Sequence, residues 1–261
     1  MAMATTSIAF SETPLLTFVL RRADDALVLG HRLSEWCGHA PMLEEELALA
    51  NVALDLIGQA RSLYAYAAET ESKGRTEDDL AYLRDAPEYR NWLIAEQPNG
   101  DFARMVLRQF LVSAFMHPYW RAHAASRDET LAAIAAKAEK EAAYHLRHAG
   151  EWAIRLGDGT DESRRRMEEA LDELWPFTGE MFETDENDRA LIAQGLAPDP
   201  AALRPEWDAT VAHVLSEATL PVPPPGAWMQ SGGRRGVHSE HLGHLLAVMQ
   251  HLQRAYPGAA W

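Results

Sequence analysis

Apolar residues recur at three- and four-residue steps along much of this chain, the period of helices that bury one face. Leu16, Val19, Leu20, Ala23, Ala26, Leu27, Leu33 and Trp36 trace a first stripe, and Cys37-Gly38-His39-Ala40-Pro41 stops it. Residues 43–69 repeat the pattern through Leu43, Leu47, Ala50, Leu54, Ile57 and Tyr64, interrupted only by Gly58. A short helical stretch over 77–84 precedes Glu96-Gln97-Pro98-Asn99-Gly100, a turn-forming run, and Asp101 is placed to cap the next helix. Val106, Phe110, Ser113, His117 and Trp120 then share a face of residues 102–122. Leu131, Ile134, Ala138, Ala142, His145, Ala149, Trp152 and Leu156 share one of 129–156.

After Gly157-Asp158-Gly159-Thr160 another amphipathic helix is expected from Ser163 to Phe182, kinked at Pro176. Residues 184–203 are acidic and turn-rich, and 205–218 predict a shorter helix through Trp207, Val211, Val214 and Leu215. Pro221, Pro223, Pro224 and Pro225 enforce an extended linker. A last helix over 239–255 presents Leu242, Leu245, Leu246, Met249 and Leu252. No strand and no fixed repeat emerges. Four long amphipathic helices, with a long connection between the second and third and further helices at the C-terminal end, predict an all-α, ferritin-like four-helix bundle. Residues 1–13 read as a disordered tail and 14–261 as a single domain.

Composition narrows the partners. Asp and Glu outnumber Lys and Arg 39 to 24, and the net charge of −15 opposes phosphate backbones and anionic membranes. No apolar run approaches the roughly 18–20 residues of a membrane span. The first residues have neither the basic start nor the apolar core of a signal peptide. Cys37 is the one cysteine, so neither an intrachain disulfide nor a thiolate metal cluster is available. A cytoplasmic protein is expected.

A di-iron bundle needs a carboxylate from each of two helices and a Glu-x-x-His pair from each of the other two, since i and i+3 point inward together. Those pairs are missing. Helix two offers Asp55-Leu56-Ile57-Gly58 and helix four Ala142-Ala143-Tyr144-His145, while Ser113 occupies the inward stripe of helix three. Glu141 is rotated by about 100° from the required position. Asp55 and His145 are then structural polar groups, unless Asp55, Glu141 and His145 hold metal in altered geometry. Asp24 and Asp25 remain on helix one.

The run His238-Ser239-Glu240-His241-Leu242-Gly243-His244 lacks the order of a zincin motif and reads as a helix start with surface or interface histidines. Before it, Gly232-Gly233-Arg234-Arg235-Gly236 reads as a flexible basic loop. It docks on a partner subunit or, through Arg234 and Arg235, holds a phosphate such as that of coenzyme A.

Several of these segments, together with others, carry a wider likeness. Ser34-Glu35-Trp36-Cys37-Gly38-His39-Ala40-Pro41, the run from Leu47 to Arg61, Glu96-Gln97-Pro98-Asn99-Gly100, Tyr144-His145-Leu146-Arg147 and His238-Ser239-Glu240-His241-Leu242-Gly243 resemble the phenylacetic acid degradation protein C family. The resemblance extends from about residue 15 to Trp261. It implies a multicomponent monooxygenase that epoxidises the ring of phenylacetyl-CoA. Its parts are a di-iron A subunit, a small bridging B subunit, a reductase and a C subunit that looks like a diverged copy of A. By that resemblance the two ligand pairs of A fall on Asp55/Gly58 and Ala142/His145, another carboxylate falls on Ser113, and the first-helix carboxylate falls on Asp24 or Asp25. The expectation is a metal-free, non-catalytic subunit that supports A, homodimeric when alone. Its alternatives are a self-sufficient di-iron oxidase and a coenzyme A-binding accessory module.

Overall fold

The computed structural model describes Ile8 and residues 13–259. The expected tail at 1–13 therefore lies outside the described residues, apart from Ile8 and Thr13. Thr13 is the N-cap of the first helix, its hydroxyl accepting from the Leu16 amide at 3.2 Å.

Among the described residues there are eleven α-helices and no strand. They are α1 (Pro14–Ser34), α2 (Leu43–Glu71), α3 (Glu77–Tyr82), α4 (Leu93–Glu96), α5 (Phe102–His123), α6 (Glu129–Gly157), α7 (Asp161–Leu174), α8 (Glu186–Gln194), α9 (Arg204–Glu217), α10 (Glu240–Met249) and α11 (His251–Ala255). The four long helices α1, α2, α5 and α6, with a long connection between the second and third, follow the ferritin-like order. Internal contacts divide the chain into two compact units. One comprises the chain up to Cys37, Leu49–Pro98 and the chain from Gly232; the other comprises Gly38–Ala48 and Asn99–Ser231.

In the first unit, α1 passes α2 at Gly30, where a Cβ would press within 3.1–3.3 Å of Ile57, Ala53 and Leu56. The α2 face turned inward is Leu49, Val52, Ala53, Leu56, Ala60, Leu63 and Ala67. This corrects the phase read from sequence. Leu43, Leu47 and Leu54 are exposed by 70%, 59% and 65%. α2 is apolar on more than one side, and period alone does not choose between two stripes.

In the second unit α5 and α6 pack along their length, with α7 and α9 against them. Asp101 caps α5 as expected, accepting from the Arg104 amide at 3.0 Å. A Cβ at Gly157 would collide with the Ala218 carbonyl oxygen, so glycine lets the end of α6 meet the end of α9. Pro176 does not kink α7. The helix stops at Leu174, and 3-10 turns follow at Trp175–Phe177 and Gly179–Phe182. The acidic 184–203 stretch contains α8, started by a reciprocal Asp185/Asp188 capping box and ended by Gly195 at φ 72°.

Candidate functional site

On α2, Asp55 and Gly58 are half-buried, and a Cβ at Gly58 would meet nothing within 4 Å. On α5, Ser113 is buried and its hydroxyl accepts from Gln109 Nε2 at 3.0 Å. On α6, Ala142 and His145 are buried, while Glu141 pairs with Lys137 at 3.3 Å. A pair of hard, highly charged irons needs carboxylates and imidazoles from four helices. Of these positions Asp55 and His145 carry such donors; Gly58 and Ala142 carry none, and the Ser113 hydroxyl is a poor one. The residues do not fit the group. Among the described residues no set of three or more His, Cys, Asp or Glu side chains is placed to hold a metal ion.

The first-helix carboxylates are engaged elsewhere, inside the first unit. Asp24 accepts from the Tyr64 hydroxyl at 2.5 Å, from Arg84 through both terminal nitrogens and from the Arg90 amide at 2.7 Å. Burial works against the Arg84 charge, but Asp24 and Tyr64 outweigh it and hold the guanidinium pKa above its ordinary value. Burial and the adjacent Asp24 push the Tyr64 hydroxyl well up. Asp25 accepts from the Trp92 amide at 2.8 Å and from Arg234 at 3.0 and 2.8 Å, with Arg22 at 3.5 Å. Here burial is the larger influence. It raises the Asp25 carboxyl against the opposing pull of Arg234 and Arg22, and with Arg22 alongside it lowers Arg234.

Arg234 is thus placed differently from the sequence expectation. Besides Asp25, its Nη1 donates to the Arg21 and Arg90 carbonyls at 3.2 and 2.5 Å, and its guanidinium lies 4.5 Å from the centre of the Trp92 ring. Those bonds engage its terminal nitrogens, so Arg234 is not presented to a phosphate. Arg235 is exposed. Nor is the surrounding loop flexible by design. A Cβ at Gly233 would collide with the Asn91 carbonyl oxygen, and one at Gly236, where φ is 75°, would collide with the Pro87 carbonyl oxygen.

His238 is a second correction. It is not a surface histidine: Nδ1 lies 2.7 Å from Glu96 Oε2 and Nε2 lies 2.9 Å from the Tyr89 carbonyl oxygen. Two acceptors facing both ring nitrogens call for two N–H donors, the imidazolium form. Burial opposes that charge, but the hydrogen bond and attraction of Glu96 prevail and raise the pKa. Glu96 is fully buried and also accepts from Asn91 Nδ2 at 2.9 Å and the Ser239 amide at 2.6 Å. His241 is half-buried and His244 exposed.

Sequence reasoning missed this network of Asp24/Arg84, Asp25/Arg234 and Glu96/His238. Its one available signal was the pair of aspartates inside the apolar stripe of α1, since buried charge demands partners. The partners lie 60 or more residues away and carry no local pattern.

The family model described as phenylacetic acid catabolic protein matches residues 1–261. A protein of Escherichia coli (strain K12), named as the C subunit of 1,2-phenylacetyl-CoA epoxidase, is 51% identical over 247 residues, covering 95% of this chain and 99% of that protein.

Proposed function

The chain belongs to the phenylacetic acid catabolic protein family, and from that premise we propose that it is the non-catalytic structural subunit of a multicomponent phenylacetyl-CoA epoxidase. It pairs with and stabilises a di-iron A-type subunit, in which oxygen and substrate chemistry take place, alongside a small B subunit and a reductase. The observation that supports the reading is the residue content at the positions where the family resemblance puts the ligands: Gly58 and Ala142 carry no donor and Ser113 a poor one. The engagement of Asp24 and Asp25 by arginines supports it, because neither carboxylate is left to a metal.

A supporting subunit needs surface to offer. α2 exposes Leu43, Leu47 and Leu54, and the C-terminal helices expose Val248 and Leu252. Large apolar side chains in that number suit burial against another chain. Among the described residues no helix is long and apolar enough to cross a membrane, in keeping with a cytoplasmic complex. The coenzyme A-binding alternative loses Arg234, leaving Arg235 as its one exposed arginine in the loop.

Co-expression with an A-type subunit, followed by size exclusion and an epoxidation assay, tests the proposal. The two chains are expected to co-elute, with A more stable and active in the pair than alone. Separate elution, with A fully active by itself, would overturn it.

A further inference from the structure

In the second unit a pocket of about 260 Å³ opens between α9 and the proline-rich segment that follows it. Trp175 and Trp207 line it, their rings 5.6 Å apart, and Pro223, Pro224 and Met229 complete an apolar wall. Trp207 is fully buried and its indole N–H is already donated to the Leu111 carbonyl at 2.9 Å, which fixes the ring in place. The prolines stiffen the opposite wall, because each restricts its own φ and that of the residue before it.

At the rim stands Arg204. Its guanidinium lies 4.9 Å from the centre of the Phe182 ring and 5.4 Å from that of Trp207. Nε donates to Asp208 at 2.7 Å, and among the described residues neither terminal nitrogen makes a hydrogen bond. The arrangement is a tethered cation with its two-pronged end unused, beside an aromatic cleft. That end matches a carboxylate, which accepts two parallel N–H bonds, while Trp175 and the prolines suit a flat ring. The volume lies just below the range that holds drug-sized ligands, so it takes one ring and a short acid and excludes a whole acyl-CoA.

We propose that this pocket binds a small aryl carboxylate, the ring between Trp175 and the prolines and the acid on Arg204. This goes beyond the structural-subunit reading and does not depend on it. Calorimetry on the full chain, with phenylacetate as the probe, tests the site. Saturable one-to-one binding is expected. Uncharged phenylacetamide and ringless acetate should each bind at least about tenfold more weakly, because each lacks one half of the recognition. Arg204→Gln should weaken phenylacetate by about tenfold or more and leave phenylacetamide unchanged. Ala212→Phe, which fills the cleft from α9 and leaves the arginine in place, should abolish binding and decides the matter if Arg204→Gln does not fold. No saturable binding of phenylacetate, acetate bound as tightly, affinity unaltered in a folded Arg204→Gln chain, or binding retained in Ala212→Phe would each overturn the proposal.

Discussion

Replacing Arg234 by methionine keeps the apolar stem and removes the guanidinium from a carboxylate that is 4% exposed. Asp25 would lose hydrogen bonds of 3.0 and 2.8 Å and keep the Trp92 amide at 2.8 Å, with Arg22 at 3.5 Å. Removing one member of a buried pair costs about 3–5 kcal/mol because the remaining charge is uncompensated. The amide and Arg22 place the expected loss at the lower end, about 3 kcal/mol. For a chain of this size that is a fall in Tm of roughly 6–12 °C. Asp25→Asn leaves the Arg234 guanidinium its two carbonyl acceptors but no opposing charge, so it too should cost about 3 kcal/mol. The double variant should cost less than the sum by about 1.5 kcal/mol or more, since the penalty of an unpaired charge disappears with the charge. Urea denaturation followed by circular dichroism measures all three. Arg234→Met within about 1 kcal/mol of wild type, or strictly additive losses, would refute the buried-pair account and return Arg234 to the surface role its sequence context suggests.

Glycine positions give a contrast of opposite sign. Gly233→Ala forces a Cβ into the Asn91 carbonyl and should destabilise by about 1–3 kcal/mol, whereas Gly58→Ala fills open space within a helix and should stabilise by about 0.5–1 kcal/mol. Thermal melts of the two variants suffice, and the same sign for both would contradict the packing described. Stability should also depend on pH through His238. Its folded pKa is raised, so its contribution is fully present below the unfolded value near 6.5 and is lost as pH climbs through the raised folded value. Denaturation midpoints should fall across that interval, and His238→Gln should remove this component of the slope; an unchanged slope would show that the histidine is not paired as described.

The long helices were legible because their stripes are regular and their ends carry caps and stops: Asp101 starts α5, and Gly38 to Pro41 lie beyond α1. Where two helix faces are apolar, as on α2, the period survives and the choice of face does not. α8 was hidden by its own polarity, although Asp185, Asp188 and Gly195 spell its start and stop. The C-terminal helix was read as continuous and instead breaks at Gln250, whose side chain reaches the Ala81 and Arg84 carbonyls at 3.1 and 3.0 Å. The ligand positions that the resemblance implies could be examined residue by residue because the i, i+3 spacing ties the members of each pair together. The ionic network could not, since Arg84, Arg234 and His238 come from turns and loops whose only link to Asp24, Asp25 and Glu96 is the tertiary fold.

Iron content tests the central claim most directly. The full chain, purified alone, incubated with ferrous iron without oxygen and then desalted, should retain far less than one iron per chain and give no turnover of phenylacetyl-CoA with the reductase and oxygen. The same treatment of its complex with an A-type subunit should load iron and restore turnover. About two irons held by the isolated chain, with turnover in the absence of A, would contradict the account.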